Sequence, residues 1–201
     1  MSFVNLNKRV AYVTQKYSLD LPMLRKADAI IAGSTTLQMF TNYYTIRPTD
    51  LDIFFSDSGD DIDSIVDDLL GKGYILEGEK GITKSEDYKF MGDIKKVVSL
   101  INVSKSLYVQ LIVVEGNHRN FIVDRTDLSV TGMYYDIKKS CIVAGEGVVE
   151  DIKEGVMRIG GVYESVMSGA WGAARKEKLE GRIAKYEERG FRLVGCAPHD
   201  A

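Results

Sequence analysis

Two cysteines, three prolines and two histidines are scattered over 201 residues, and each scarcity removes a class of protein. Cys141 and Cys196 lie far apart without a CxxC pairing, which argues against a zinc ribbon or a disulfide framework and fits idle thiols in a reducing compartment. His118 and His199 stand alone and make neither a triad nor a metal cluster. So little proline, with no low-complexity tract, argues against long disordered linkers. No apolar run approaches the ~18 residues of a membrane span, and the opening MSFVNLNKRV lacks the apolar core of a secretory signal. The expected location is therefore a cytoplasm, the cell's own or that of an infected host. A net charge of -3 excludes a general nucleic-acid sponge.

What is present is ordinary for a soluble globular chain: 45% hydrophobic and 27% charged residues, enough length to bury a core without staples. Leu19, Leu21 and Leu24 suggest a short early helix. Ala29-Ile-Ile-Ala-Gly33 reads as a buried strand, and Ser34 to Phe40 continues as helix from a capping serine. Asp50-Leu-Asp-Ile-Phe-Phe55 starts with strand alternation, and 58–73 forms an amphipathic helix ending in glycines. Two β-rich runs, 95–103 and 107–114, flank Ser104-Lys105-Ser106 as a hairpin. Residues 127–135 and 140–144 give two further candidate strands, and after Gly147 the pattern becomes helical. The order predicts an α+β fold with a mixed sheet of about five strands. Residues 1–146 would form the core and 147–201 a helical extension packed on it.

The chemistry concentrates between Gly33 and Phe55. A glycine-serine turn between strand and helix presents backbone N–H groups that cradle phosphate oxygens. Asp50 and Asp52 alternate on one strand and so share a face. Two such carboxylates suit hard Mg²⁺ ions, whose remaining positions go to water and substrate phosphates. The competing reading is an edge strand with one solvated face. Between Asp50 and Asp68 lie eight aspartates without a lysine or arginine. Their spacing is not that of a calcium loop, and they read as a helix start and a solvated face. In the tail, Arg182, Lys185 and Arg189 form one helical stripe beside Tyr186, either phosphate-pairing or part of an ion-paired helix with Glu180, Glu187 and Glu188. Trp171, Met133, Tyr134 and Tyr135 read as core.

Gly33-Ser34 followed by Asp50-Leu-Asp52 resembles the signature of the DNA polymerase β-like nucleotidyltransferase superfamily. More narrowly, the chain is similar to short nucleotidyltransferase-like proteins of large phage and viral genomes, through Val109-Gln-Leu-Ile112, Thr126-Asp-Leu-Ser129 and Arg182 to Phe191. The resemblance implies that Gly33 and Ser34 hold β- and γ-phosphates, that Asp50 and Asp52 hold Mg²⁺ or Mn²⁺, and that Asp50 to Phe55 pairs with Leu107 to Ile112. Where that superfamily carries a third carboxylate this sequence has Gln110, an amide that hydrogen-bonds a phosphate or ribose without supplying charge to a metal. Asp127 is the nearest substitute.

Two functions follow as expectations. One is a metal-dependent nucleotidyltransferase that moves a nucleoside monophosphate from a triphosphate to a protein, a tRNA end or a small molecule, with Asp50, Asp52 and Asp127 catalytic. Gly33, Ser34, Gln110, Arg182, Lys185 and Arg189 would bind the nucleotide. The other is a catalytically degenerate nucleotide- or partner-binding module on the same fold, such as a phage factor acting on a host protein, supported by Gln110.

Overall fold

The computed structural model describes residues 6–41, 46, 48, 50–57, 62–77, 93–161, 163 and 173–196. Its elements run α1 (Leu6–Tyr17), α2 (Leu21–Lys26), β1 (Ile30–Ala32), α3 (Gly33–Phe40), β2 (Asp50–Ser56), α4 (Ile62–Gly71), β3 (Ile75–Leu76), β4 (Ile94–Asn102) and β5 (Leu107–Val114). Then follow α5 (His118–Asp124), β6 (Met133–Asp136), β7 (Cys141–Ala144), α6 (Val148–Glu154), β8 (Val156–Ile159), α7 (Ala173–Glu187) and β9 (Arg192–Cys196). The fold is α+β, as the order of patterns implied.

Local chemistry sets many boundaries. Asp20 caps α2 by accepting the Met23 N–H at 2.9 Å, with Pro22 in the first turn, where a missing N–H costs nothing. Asn117 caps α5 in the same way through Arg119 and Asn120. The β4–β5 connection is a single 3₁₀ turn at Val103–Lys105, capped by Asn102 and closed by Ser106 in the left-handed region. The expected hairpin is therefore present, in register from Asn102 opposite Leu107 to Lys96 opposite Val113, with a bulge before Ile94 opposite Val114.

Among the described residues, seven strands form one mixed sheet in the order β3-β4-β5-β2-β1-β6-β7. Among its described strands β2 and β5 alone pair in parallel, Asp50 opposite Tyr108 and Asp52 opposite Gln110. The sheet is two strands wider than expected. One of its faces carries Leu51, Ile53, Phe55, Val109 and Leu111 and is covered by Val10, Val13 and Tyr17 of α1, Leu24 of α2, and Ile65 and Leu69 of α4. The opposite face carries Ile30, Phe54, Ile112 and Tyr134, packed against Ile122 of α5. A third apolar cluster joins Leu37, Met133, Ile152 and Met157 to Leu179, Ile183 and Tyr186 of α7.

Three expectations are corrected. The amphipathic opening segment forms two helices rather than one short one, because Val10, Val13 and Tyr17 recur at helical spacing under a polar exterior. Residues 127–135 are not one strand: Asp127 sits in a bend, Leu128 makes an isolated bridge to Ile159, Ser129–Thr131 is a 3₁₀ turn, and only Met133 onward is β. The stretch after Gly147 also holds β8 and β9, which pair in parallel as a separate small sheet. Met133, Tyr134 and Tyr135 are buried as expected. Trp171 and His199, like Asp60 and Asp61 of the acidic run, lie outside the described residues.

Candidate functional site

The second face of the sheet changes character along its length. Toward Phe54 and Ile112 it is apolar and covered by α5; toward the start of β2 and β5 it carries Asp50, Asp52, Tyr108 and Gln110. Directly opposed residues of neighbouring strands project to the same side, so these four share one surface. Opposite them stands α7. The space between is a cavity of about 360 Å³, lined among others by Gly33, Ser34, Asp50, Asp52, Gln110, Asp127, Arg182 and Lys185. Eight of the nine residues singled out in the sequence thus converge. Arg189 is not among the lining residues; its guanidinium lies 4.9 Å from the Tyr186 ring centre.

β1 runs straight into α3 without a loop, and Gly33 makes the turn with φ +70°. A Cβ there would stand 2.6 Å from Asp52 Oδ2, so both the backbone conformation and the close carboxylate demand glycine. The N-terminus of α3 has no side-chain cap, which leaves its first N–H groups free of that competitor. Ser34 Oγ donates to Asp50 Oδ1 at 3.5 Å, and Thr35 Oγ1 donates to the Asp50 carbonyl at 2.9 Å, fixing the start of β2 against α3.

The carboxylates meet cations from α7. Asp127 Oδ2 lies 2.9 Å from Arg182 Nε, and Asp50 Oδ2 lies 3.9 Å from Lys185 Nζ. Burial, and secondarily the charge of Asp50, push the Asp52 carboxyl up to about 7, against the opposing pull of Arg182 and Lys185. Its outer surface still meets the cavity. Among the described residues no group of three or more His, Cys, Asp or Glu side chains is gathered for a metal. The oxygen donors available are two carboxylates, the Gln110 amide opposite Asp52, and Asp127, which is already ion-paired.

Sequence reasoning missed Tyr108, Tyr163, Arg175 and Lys178 as lining residues. Arg175 and Lys178 continue the Arg182–Lys185 stripe backwards at the same helical spacing, a legible signal. Tyr108 lies two residues before Gln110 on β5 and so on its face, equally legible. Tyr163 is buried, its hydroxyl pushed up by that burial, with the Arg175 guanidinium 5.4 Å from its ring centre. Nothing in the sequence around it announces that role.

Comparison with known proteins changes the assignment. No curated protein matches the chain. A family model, described as Gabija anti-defense 2 family protein (Gad2), matches residues 5–155, well over half of the chain. This overturns the resemblance to the DNA polymerase β-like nucleotidyltransferase superfamily, since the family that matches is a different one and no nucleotidyltransferase family model does. The physical reason is that glycine-serine after a strand and Asp-x-Asp on its neighbour are short local solutions, and an arrangement of elements does not fix a family. The chain belongs to the Gabija anti-defense 2 family.

Proposed function

We propose that this chain is a phage factor that counters Gabija defence, and that its cavity binds a nucleoside triphosphate together with a divalent cation, Mg²⁺ or Mn²⁺. The anti-defence part is carried by the family match. The ligand class is supported by one observation above all. A strand pair bearing Asp50, Asp52 and Gln110 faces a helix bearing Arg175, Lys178, Arg182 and Lys185 across a cavity of about 360 Å³. A wall of carboxylates opposite a wall of cations suits a ligand that is anionic yet travels with a cation.

The residues fit the ion. Two carboxylates plus an amide oxygen are the few protein donors that Mg²⁺ takes when phosphates and water complete its shell. The cation, when bound, would neutralise phosphate charge and polarise the phosphorus it faces. The uncapped first turn of α3 offers N–H donors to phosphate oxygens, and Arg182 and Lys185 supply the opposing charge-assisted donors. Gly33 lets that turn approach Asp52 without a side chain between them.

Nucleotidyl transfer is the reaction such a ligand invites. An acceptor oxygen would bond to the α-phosphorus, the α–β bridging bond would break, pyrophosphate would leave, and the acceptor's proton would pass to solvent or to Asp127 once that carboxylate releases Arg182. The acceptor would be a protein hydroxyl, an RNA end or a small molecule. A non-catalytic module, binding the nucleotide or a Gabija component stoichiometrically, is the second reading, favoured by Gln110 and by the commitment of Asp127 to Arg182 at 2.9 Å.

The test joins binding to biology. Calorimetry with ATP and Mg²⁺, turnover of α-labelled ATP, and plating of a Gabija-sensitive phage on Gabija-expressing cells are compared for the parent, Asp50→Asn and Asp52→Asn. Loss of metal-dependent binding and of rescue together supports the cavity as the working site. Full rescue by both variants would move the anti-defence function to another surface, and rescue that needs the carboxylates without turnover would favour binding alone.

A further inference from the structure

Of the three tyrosines that line the cavity among the described residues, two are unavailable to a ligand's ring. Tyr163 and Tyr186 are buried, and each already has a guanidinium near its ring, Arg175 at 5.4 Å and Arg189 at 4.9 Å. Tyr108 is 38% exposed and lines the same cavity. In the sheet it stands opposite Asp50 of β2 on one side and opposite Ile101 of β4 on the other. Ile101 is half-buried. Because opposed residues share a face, the row across the sheet reads carboxylate, phenol, aliphatic. Polarity therefore falls from the end where Asp50 and Asp52 sit to a ledge made by an open aromatic ring and an isoleucine.

We propose that Tyr108 is the platform on which the base of the bound nucleotide stacks. The inference rests on the triphosphate reading above and gives that site its second half. Phosphates lie between Asp50, Asp52 and the cations of α7, and the nucleoside extends over β5 toward β4. An exposed tyrosine offers a large flat surface with little side-chain entropy to lose. Its hydroxyl is not needed for stacking, so phenylalanine would serve as well. Since every base presents a π-face, this residue alone discriminates little among bases.

The experiment compares two probes on three proteins: ATP with Mg²⁺ and inorganic tripolyphosphate with Mg²⁺, against the parent, Tyr108→Ala and Tyr108→Phe. Loss of the ring should weaken ATP by about 5- to 150-fold, the span of one base–aromatic stack. Tripolyphosphate affinity should stay unchanged, and Tyr108→Phe should keep parental affinity for both. Thermal melting reports whether Tyr108→Ala folds, and Tyr108→Thr, which also lacks the ring and suits an exposed strand position, carries the test if it does not. Equal ATP affinity in the parent and Tyr108→Ala overturns the platform while leaving the phosphate site standing. Equal weakening of both probes assigns the residue a structural part instead. A parent that binds neither probe overturns the triphosphate reading, and the platform with it.

Discussion

Asp52 lines the cavity with its carboxyl desolvated and set beside the charge of Asp50. Its carboxyl titrates near 7 rather than 3.8, held up by burial and by Asp50. Between about pH 4 and 7 the folded chain keeps a proton that the unfolded chain has released. More protons bound in the folded state means that stability falls as pH rises through that window. Asp52→Asn removes the titration, so the variant's advantage over the parent should be absent near pH 4 and grow to a plateau above pH 7. Solvent in the cavity screens the charge, so the plateau should be a few kcal/mol at most. Urea unfolding at a series of pH values measures it, and an advantage independent of pH would refute the assignment. Gly33→Ala is the steric counterpart. With φ at +70° and Asp52 Oδ2 2.6 Å from the added carbon, the carboxylate must shift. We expect a loss of about 1–3 kcal/mol and weaker binding of ATP with Mg²⁺; parental stability would mean that the turn relaxes freely.

At the scale of elements, what was legible followed periodicity and what was not followed long-range pairing. The β4–β5 hairpin, the start of β2 and helix α7 announce themselves through alternation, turn residues and helical spacing. That β2 pairs with β5 was expected only through a family resemblance that the family match overturns, and the parallel orientation, which brings Asp52 opposite Gln110, was not foreseen. β3 has two residues, and the segment around Asp127 is held by an isolated bridge and a 3₁₀ turn, so neither has a period to detect. Another unannounced feature is the joint between α5 and the sheet. Arg119 forks onto Asp28 at 2.7 and 2.9 Å and reaches Asp136 at 3.1 Å, and Asp136 is fully buried. Arg119→Ala would leave that carboxylate with the Lys139 N–H at 2.8 Å and without its guanidinium. Breaking a buried pair costs about 3–5 kcal/mol, and the retained N–H places this one at the lower end. Adding Asp136→Asn should recover part of the loss in urea unfolding, whereas strictly additive losses would show that the two groups are uncoupled.

At the scale of the whole molecule, the proposed function asks a chain of net charge -3 to hold a highly charged anion. The cavity resolves this by facing Asp50, Asp52 and Asp127 with Arg175, Lys178, Arg182 and Lys185. Without a divalent cation, Arg182 and Lys185 are drawn toward Asp127 and Asp50, and an incoming triphosphate meets the repulsion of those carboxylates. On the proposed reading Mg²⁺ would lift that repulsion by binding the carboxylates; asparagine would lift it permanently by removing their charge. The two routes lead to different dependences on metal. In the parent, tripolyphosphate affinity should be at least about tenfold higher in Mg²⁺ than in chelator, one close charge interaction being worth ~1.4 kcal/mol or more at a partly buried site. In the Asp50→Asn, Asp52→Asn double variant the two affinities should coincide, at a level above that of the metal-free parent, because the carboxylate repulsion is gone and Lys185, no longer held by Asp50, is released to the anion. Raising the salt concentration should weaken the double variant's binding steeply, since the remaining attraction comes from side chains such as Lys178 that reach solvent. A double variant that keeps the parent's full Mg²⁺ dependence would place the cation elsewhere than on Asp50 and Asp52.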